Sequence, residues 1–129
     1  METRTRLGLL IAALTCIAAA PAAAQDNKLP AGVTPAMIAK GKTIFTSTGL
    51  CFACHGMDAK GQVGPNLTDG TWIHGKGTYP EIVQIVTTGI PAAETKTGKG
   101  PMPPKGGSQI SEDDVKAVAA YVWSLSHPT

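Results

Sequence analysis

The chain has 129 residues, a formal net charge of +2 and only 5% aromatic side chains, which is room for one domain and not two. Its lysines are dispersed and form no basic stripe, so the composition excludes a nucleic-acid partner.

Arg4 and Arg6 precede a run from Leu7 to Ala24 that carries no charge and closes with Pro21-Ala22-Ala23-Ala24. A basic start, an apolar middle and small residues at an Ala-x-Ala site predict a secretory signal over residues 1–24, cleaved after Ala24. The rival is an uncleaved anchor, since the run is just long enough to cross a bilayer at about 1.5 Å per residue. Its alanine-rich second half and Pro21 favour cleavage. Cys16 lacks the leucine three places earlier that a lipoprotein signal carries, so it falls with the discarded segment. Cleavage removes Arg4, Arg6 and Glu2 and leaves a formal charge of +1 with no arginine.

Residues 25–33 show no periodic apolar face and predict a loose lead-in. A domain then runs over 34–127. Thr34 can cap the first helix, with Pro35 at a position where its missing N–H costs nothing. Met37, Ile38, Gly41, Ile44 and Phe45 share one face at helical spacing. Glycine weakens a helix interior by about 1 kcal/mol, so Gly41 on that face predicts a second helix crossing closely over it.

The stretch Cys51-Phe52-Ala53-Cys54-His55 carries the chemistry. Two thiols at this spacing can bond to the two vinyl groups of a haem while the adjacent imidazole meets the iron, which predicts a c-type haem with His55 as proximal ligand. A structural zinc site would need a fourth ligand from His74, His127 or carboxylates, with no second cysteine pair in the mature chain. A thioredoxin-like dithiol would require a βαβ pattern that residues 45–60 lack. A plain disulfide leaves His55 unexplained. The haem would supply apolar surface that so thin a core otherwise lacks. Its two propionates would bring the mature chain to about neutral, and thioether attachment outside the bacterial cytoplasm agrees with export to the periplasm.

Residues 56–77 are rich in Gly, Pro, Asn and Asp and predict an irregular loop over one haem face. Thr78, Pro80 and Glu81 open the next helix with a capping box; Ile82, Ile85 and Val86 form its buried face and Gly89 ends it. Residues 91–109 return to proline and glycine around Met102, a long loop of the kind that is functional or disordered. Ser111 caps the last helix and Glu112, Asp113 and Asp114 complement its dipole. Val115, Val118, Ala119, Val122 and Leu125 make its apolar stripe, with Tyr121 and Trp123 beside it. No repeat or strand pattern is present, so the fold class is all-α: three main helices with long loops wrapped around one covalently bound haem.

Over residues 34–127 the chain resembles the class I monohaem cytochrome c family. The likeness lies in Gly41 and Phe45 on the first helix, the Cys-x-x-Cys-His site, a methionine loop, and Tyr121 on a last helix that crosses the first. More narrowly, Gly64-Pro65-Asn66-Leu67-Thr68-Asp69-Gly70-Thr71-Trp72 and Ala119-Ala120-Tyr121-Val122-Trp123-Ser124-Leu125-Ser126 are similar to the c-haem subunit of cbb-type terminal oxidases. A single haem motif and no membrane span in the mature part set this chain apart as a soluble relative.

The resemblance implies Met102, within Met-Pro-Pro, as the ligand trans to His55, and a thioether there raises the reduction potential. It also implies that the Pro65 carbonyl accepts from the His55 ring and that the Trp72 indole lies near a propionate. His74 competes with Met102 as a second imidazole, although Gly75 and Gly77 point to an exposed turn. Met57 is tied to the His55 side, Met37 packs in the core, and His127 is solvated at a frayed end. No paired carboxylate or activated nucleophile supports substrate catalysis, so the chain reads as a non-enzymatic carrier of single electrons.

Its expected partners are a dehydrogenase, a quinol-oxidising complex or a terminal oxidase, met as a monomer, with Lys96, Lys99 and Lys105 as a patch for an acidic surface. Two alternatives remain. One is a haem module docked permanently to a larger enzyme. The other is a gas- or peroxide-reactive haem protein, should the methionine be labile.

Overall fold

The structure, a computed structural model, describes residues 28–128. The expected signal segment 1–24 and residues 25–27 of the lead-in lie outside those residues. Four helices follow: α1 (Pro35–Phe45), α2 (Phe52–His55), α3 (Tyr79–Thr88) and α4 (Glu112–Ser126). Two 3₁₀ turns, Ala92–Glu94 and Pro104–Gly107, interrupt the last loop. No strand occurs among the described residues; there is one isolated antiparallel bridge, between Ile90 and Met102. No helix there is long and apolar enough to cross a membrane.

The helix starts follow from capping. The Met37 N–H donates to the Thr34 hydroxyl at 3.2 Å, and the Asp114 N–H donates to the Ser111 hydroxyl at 3.2 Å. At α3 the Glu81 carboxylate accepts from the N–H of Thr78 at 3.0 Å, from its hydroxyl at 2.8 Å and from the Lys76 N–H at 3.0 Å. The Thr34 and Ser111 hydroxyls satisfy donors that the first helical turn leaves open, and Glu81 ties down the backbone N–H groups just before α3.

α1 crosses α4, and α3 packs on α4 as well. A Cβ at Gly41 would collide with the Ala117 carbonyl, so only glycine lets the two backbones approach this far. Phe45 is fully buried at the crossing and meets Tyr121 edge to face, with ring centroids 5.4 Å apart. Lys40 on α1 pairs with Asp114 on α4 at 2.7 Å.

Several expectations change in detail. α4 buries Ala117, Ala120 and Tyr121 beyond the expected stripe and leaves Leu125 half-buried, because helices cover it on two sides. The 91–109 loop has more order than its composition suggests. Besides the Ile90–Met102 bridge, Lys105 and Gly106 wind left-handed (φ 53° and 65°). His127 is exposed yet not merely solvated: it stacks on Trp123 with ring centroids 4.3 Å apart and Nδ1 within 2.9 Å of the Trp123 carbonyl.

Candidate haem cleft

α2 is a single turn that opens directly into a tight chain reversal, and this places Cys51, Cys54 and His55 along one rim of a cleft. Gly56 (φ 81°) ends α2, and the Gly61 N–H returns to the His55 carbonyl at 2.8 Å while the Gly64 N–H reaches the Cys54 carbonyl at 2.9 Å. The chain after the motif is thus folded back under it.

His55 is buried and held from three directions. Its Nδ1 lies 2.9 Å from the Pro65 carbonyl, so that nitrogen carries the proton and Nε2 keeps its lone pair. Gly64 lies against the imidazole: a Cβ there would stand 2.6 Å from Cε1. Phe45 faces the ring at 6.5 Å between centroids. Burial lowers the His55 pKa, and the Pro65 carbonyl opposes that shift. A neutral imidazole is the form that binds a metal.

Cys51 and Cys54 are both free thiols, so the disulfide alternative does not describe this structure. Burial pushes the Cys51 thiol up to about 11, against a weaker opposing backbone hydrogen bond. Among the described residues no group of three or more His, Cys, Asp and Glu side chains converges as a metal site.

The rest of the cleft is supplied by later segments. Phe45, Leu67, Ile82, Ile85, Val86, Val118 and Val122 give it an apolar interior. It encloses about 1110 Å³, counting its open mouth. Trp72 lines it and folds over Gly77, where a Cβ would collide with the indole nitrogen. Met102 lines the same cleft from the last loop. Its backbone is fixed by the bridge, with the Met102 N–H to the Ile90 carbonyl at 3.0 Å and the Ile90 N–H to the Met102 carbonyl at 2.8 Å. Gly89 (φ 71°) has no room for a Cβ beside the Met102 carbonyl.

His74 departs from the exposed turn expected for it. It is half-buried and lines the cleft; Gly75 and Gly77 do turn the chain (φ 74° and 75°), but the turn leaves His74 against the cleft. Met57 is 62% exposed, away from the cleft lining. Lys96 and Lys99 border the cleft as well, whereas Lys105 donates to the Ile110 carbonyl at 3.0 Å. Among the described residues no Asp or Glu lines it.

These features fit a flat apolar ring with anionic tails. Two thiols and an imidazole share one rim, a thioether approaches from another segment, the walls are hydrocarbon, and the charged groups at the border are cationic. A carboxylate-free lining matters because buried negative charge would oppose the propionates.

Residues 36–122 match the family described as "Cytochrome C oxidase, cbb3-type, subunit III". The chain belongs to that family. Haem c, attached through the Cys-x-x-Cys-His motif, is the cofactor of such cytochrome domains. Among curated relatives, the cbb3-type cytochrome c oxidase subunit CcoP of Rubrivivax gelatinosus is 42% identical over 93 residues, covering 71% of this chain and 27% of the relative. The FixP subunit of Rhizobium meliloti is 35% identical over 94 residues, covering 70% and 28%. The cytochrome domain here therefore spans little more than a quarter of these relatives. Two solved structures share its fold. Cytochrome cL from Hyphomicrobium denitrificans has a TM-score of 0.50 and 24% identity, covering 67% of this chain and 45% of that one. The Kuenenia stuttgartiensis reducing HAO-like protein complex has a TM-score of 0.55 and 23% identity, covering 78% and 48%.

Sequence reasoning missed three contributors. Gly64 as the floor under His55 and Gly77 beneath Trp72 were visible only as loop glycines. Ile90 carries no signal of its own, since its role is a backbone bridge.

Proposed function

We propose that this cytochrome domain is a periplasmic carrier of single electrons whose haem iron is ligated by His55 and Met102. Cys51 and Cys54 form the two thioethers. When bound, the haem supplies a one-electron ferric/ferrous couple. His55 presents Nε2 with its ring fixed by Pro65 and Gly64, and the Met102 thioether favours the reduced state. Trp72 offers its indole N–H to a propionate at the cleft border. The apolar interior would exclude water from a haem seated there.

The observation that carries this reading is convergence. Both residues line one largely apolar cleft, with no carboxylate among the described residues that line it. With both His55 and Met102 given to the iron, the bound haem would offer no position to a substrate, and the chemistry it would supply is electron exchange. The names of the relatives favour a terminal oxidase as the partner, met either transiently or as a permanent haem module within it. Residues 1–24 act as a secretory signal, which gives the periplasmic address.

The test is exposure of the reduced holoprotein to carbon monoxide at neutral pH. The carrier reading expects little uptake over minutes; rapid stoichiometric binding would overturn it in favour of a gas-reactive haem. Co-purification from the native host separates a free monomer from an oxidase-bound module.

A further inference from the structure

Two loops that are far apart in sequence touch at the edge of the cleft. The Gly100 N–H donates to the Val63 carbonyl at 3.2 Å, and Lys99 Nζ donates to the Gln62 carbonyl at 3.3 Å. On one side of this contact, the next residue is Gly64, which lies under the His55 imidazole and is bonded to the Cys54 carbonyl. On the other, Pro101 leads straight to Met102. Proline has a fixed φ and no N–H of its own, so little slack separates the contact from the methionine.

We propose that Lys99 and Gly100 are positioning residues for Met102: they clasp the methionine loop to the segment that supports His55, and so set how often the thioether leaves the iron. This rests on the reading of Met102 as a ligand. Met102 then has two anchors. The Ile90 bridge ties it to the end of α3, and the clasp ties it to the histidine side.

The two anchors differ in strength. Gly89 and Ile90 are buried or half-buried beside the bridge, whereas both clasp acceptors belong to exposed residues, Gln62 and Val63. Water competes for such bonds, so the clasp opens locally while the helices stay packed. Thr97 and Gly98, just before Lys99, are both left-handed (φ 57° and 71°). Lys96 lines the same cleft without a bond to residues 62 and 63.

The experiment measures cyanide binding to the ferric holoprotein, with a denaturant midpoint recorded for each variant. Gly100→Pro removes the N–H donor. If the open state rises from about 1% to about 10%, cyanide uptake becomes about tenfold faster, within the range of ordinary minor states. The midpoint should barely move. Wild-type uptake in a fully loaded Gly100→Pro protein would overturn the proposal. Should that variant fail to mature, Lys99→Met decides against Lys96→Met, which removes the same charge from the same border. Lys99→Met is expected to be about two- to tenfold faster than Lys96→Met, with Lys99→Arg restoring the slow rate. Equal rates in Lys99→Met and Lys96→Met would sink the clasp. Met102→Ala serves as the reference. If it leaves uptake unchanged, the ligand assignment has failed; if it accelerates uptake and the clasp variants do not, only the clasp has.

Discussion

The segment around His55 and the segment around Met102 hold their residues by different means. His55 is buried, hydrogen-bonded through Nδ1 at 2.9 Å, floored by Gly64 and faced by Phe45 from the helix crossing. Met102 is half-buried between prolines; its side chain packs against the edge of the core, and its only hydrogen bonds are those of its backbone to Ile90. The imidazole is therefore fixed by a hydrogen bond and close contacts on its own ring, while the thioether is placed by a loop backbone and by packing at the edge of the core. A carrier gains from that division, because the potential can be tuned on the methionine side without disturbing the fold.

Breaking the histidine side should have the largest effect on stability. Phe45→Ala removes a fully buried ring shared by α1, α4 and His55, and should cost about 3–5 kcal/mol in denaturant unfolding. Gly64→Ala comes next. A methyl 2.6 Å from the imidazole must displace it, with a loss of about 1–3 kcal/mol from overpacking and a changed potential by protein-film voltammetry. An unchanged potential would show that Gly64 is no floor to the ligand.

The methionine side should respond with function more than stability. Gly89→Ala places a Cβ against the Met102 carbonyl at a positive φ, and should cost about 1–2 kcal/mol of strain while raising carbon monoxide uptake. The same measurement on Phe45→Ala, corrected for its unfolded fraction, should show less opening.

Acid gives the smallest effect and probes the helix crossing. The Lys40 ammonium, and then the Ser111 hydroxyl, hold Asp114 below the ordinary carboxylate value of 3.8. A depressed folded pKa stabilises the fold above the ordinary value, and that contribution is lost as pH falls through the folded one. Lys40→Met should therefore flatten the stability curve below about pH 4 and leave it nearly parallel to wild type near neutrality. Identical acid limbs would remove the pair from the account.

The same contrast explains what could be read from the sequence. Thr34 and Ser111 are legible as helix starts because capping is decided within four residues, and Gly41 announces a crossing because its burial is unexplained by propensity. The motif at Cys51, Cys54 and His55 is legible because covalent attachment fixes its spacing. The Pro65 acceptor is a backbone group ten residues from His55, which no side-chain pattern records; it came only through resemblance. His74 misled for a related reason. Gly75 and Gly77 do mark a turn, but a glycine says nothing about whether a turn faces water or the cleft. Ile90 and Gly100 act through backbone groups between distant loops, and such contacts exist only once the chain has folded.

The central claim is that Met102, and not His74, completes the iron's coordination opposite His55. Redox titration of the holoprotein beside its Met102→Ala and His74→Ala variants tests it most directly. The account predicts a markedly lower potential and an altered visible spectrum in Met102→Ala, with His74→Ala close to wild type. A Met102→Ala protein that keeps the wild-type potential and spectrum, above all if His74→Ala loses them, would contradict it.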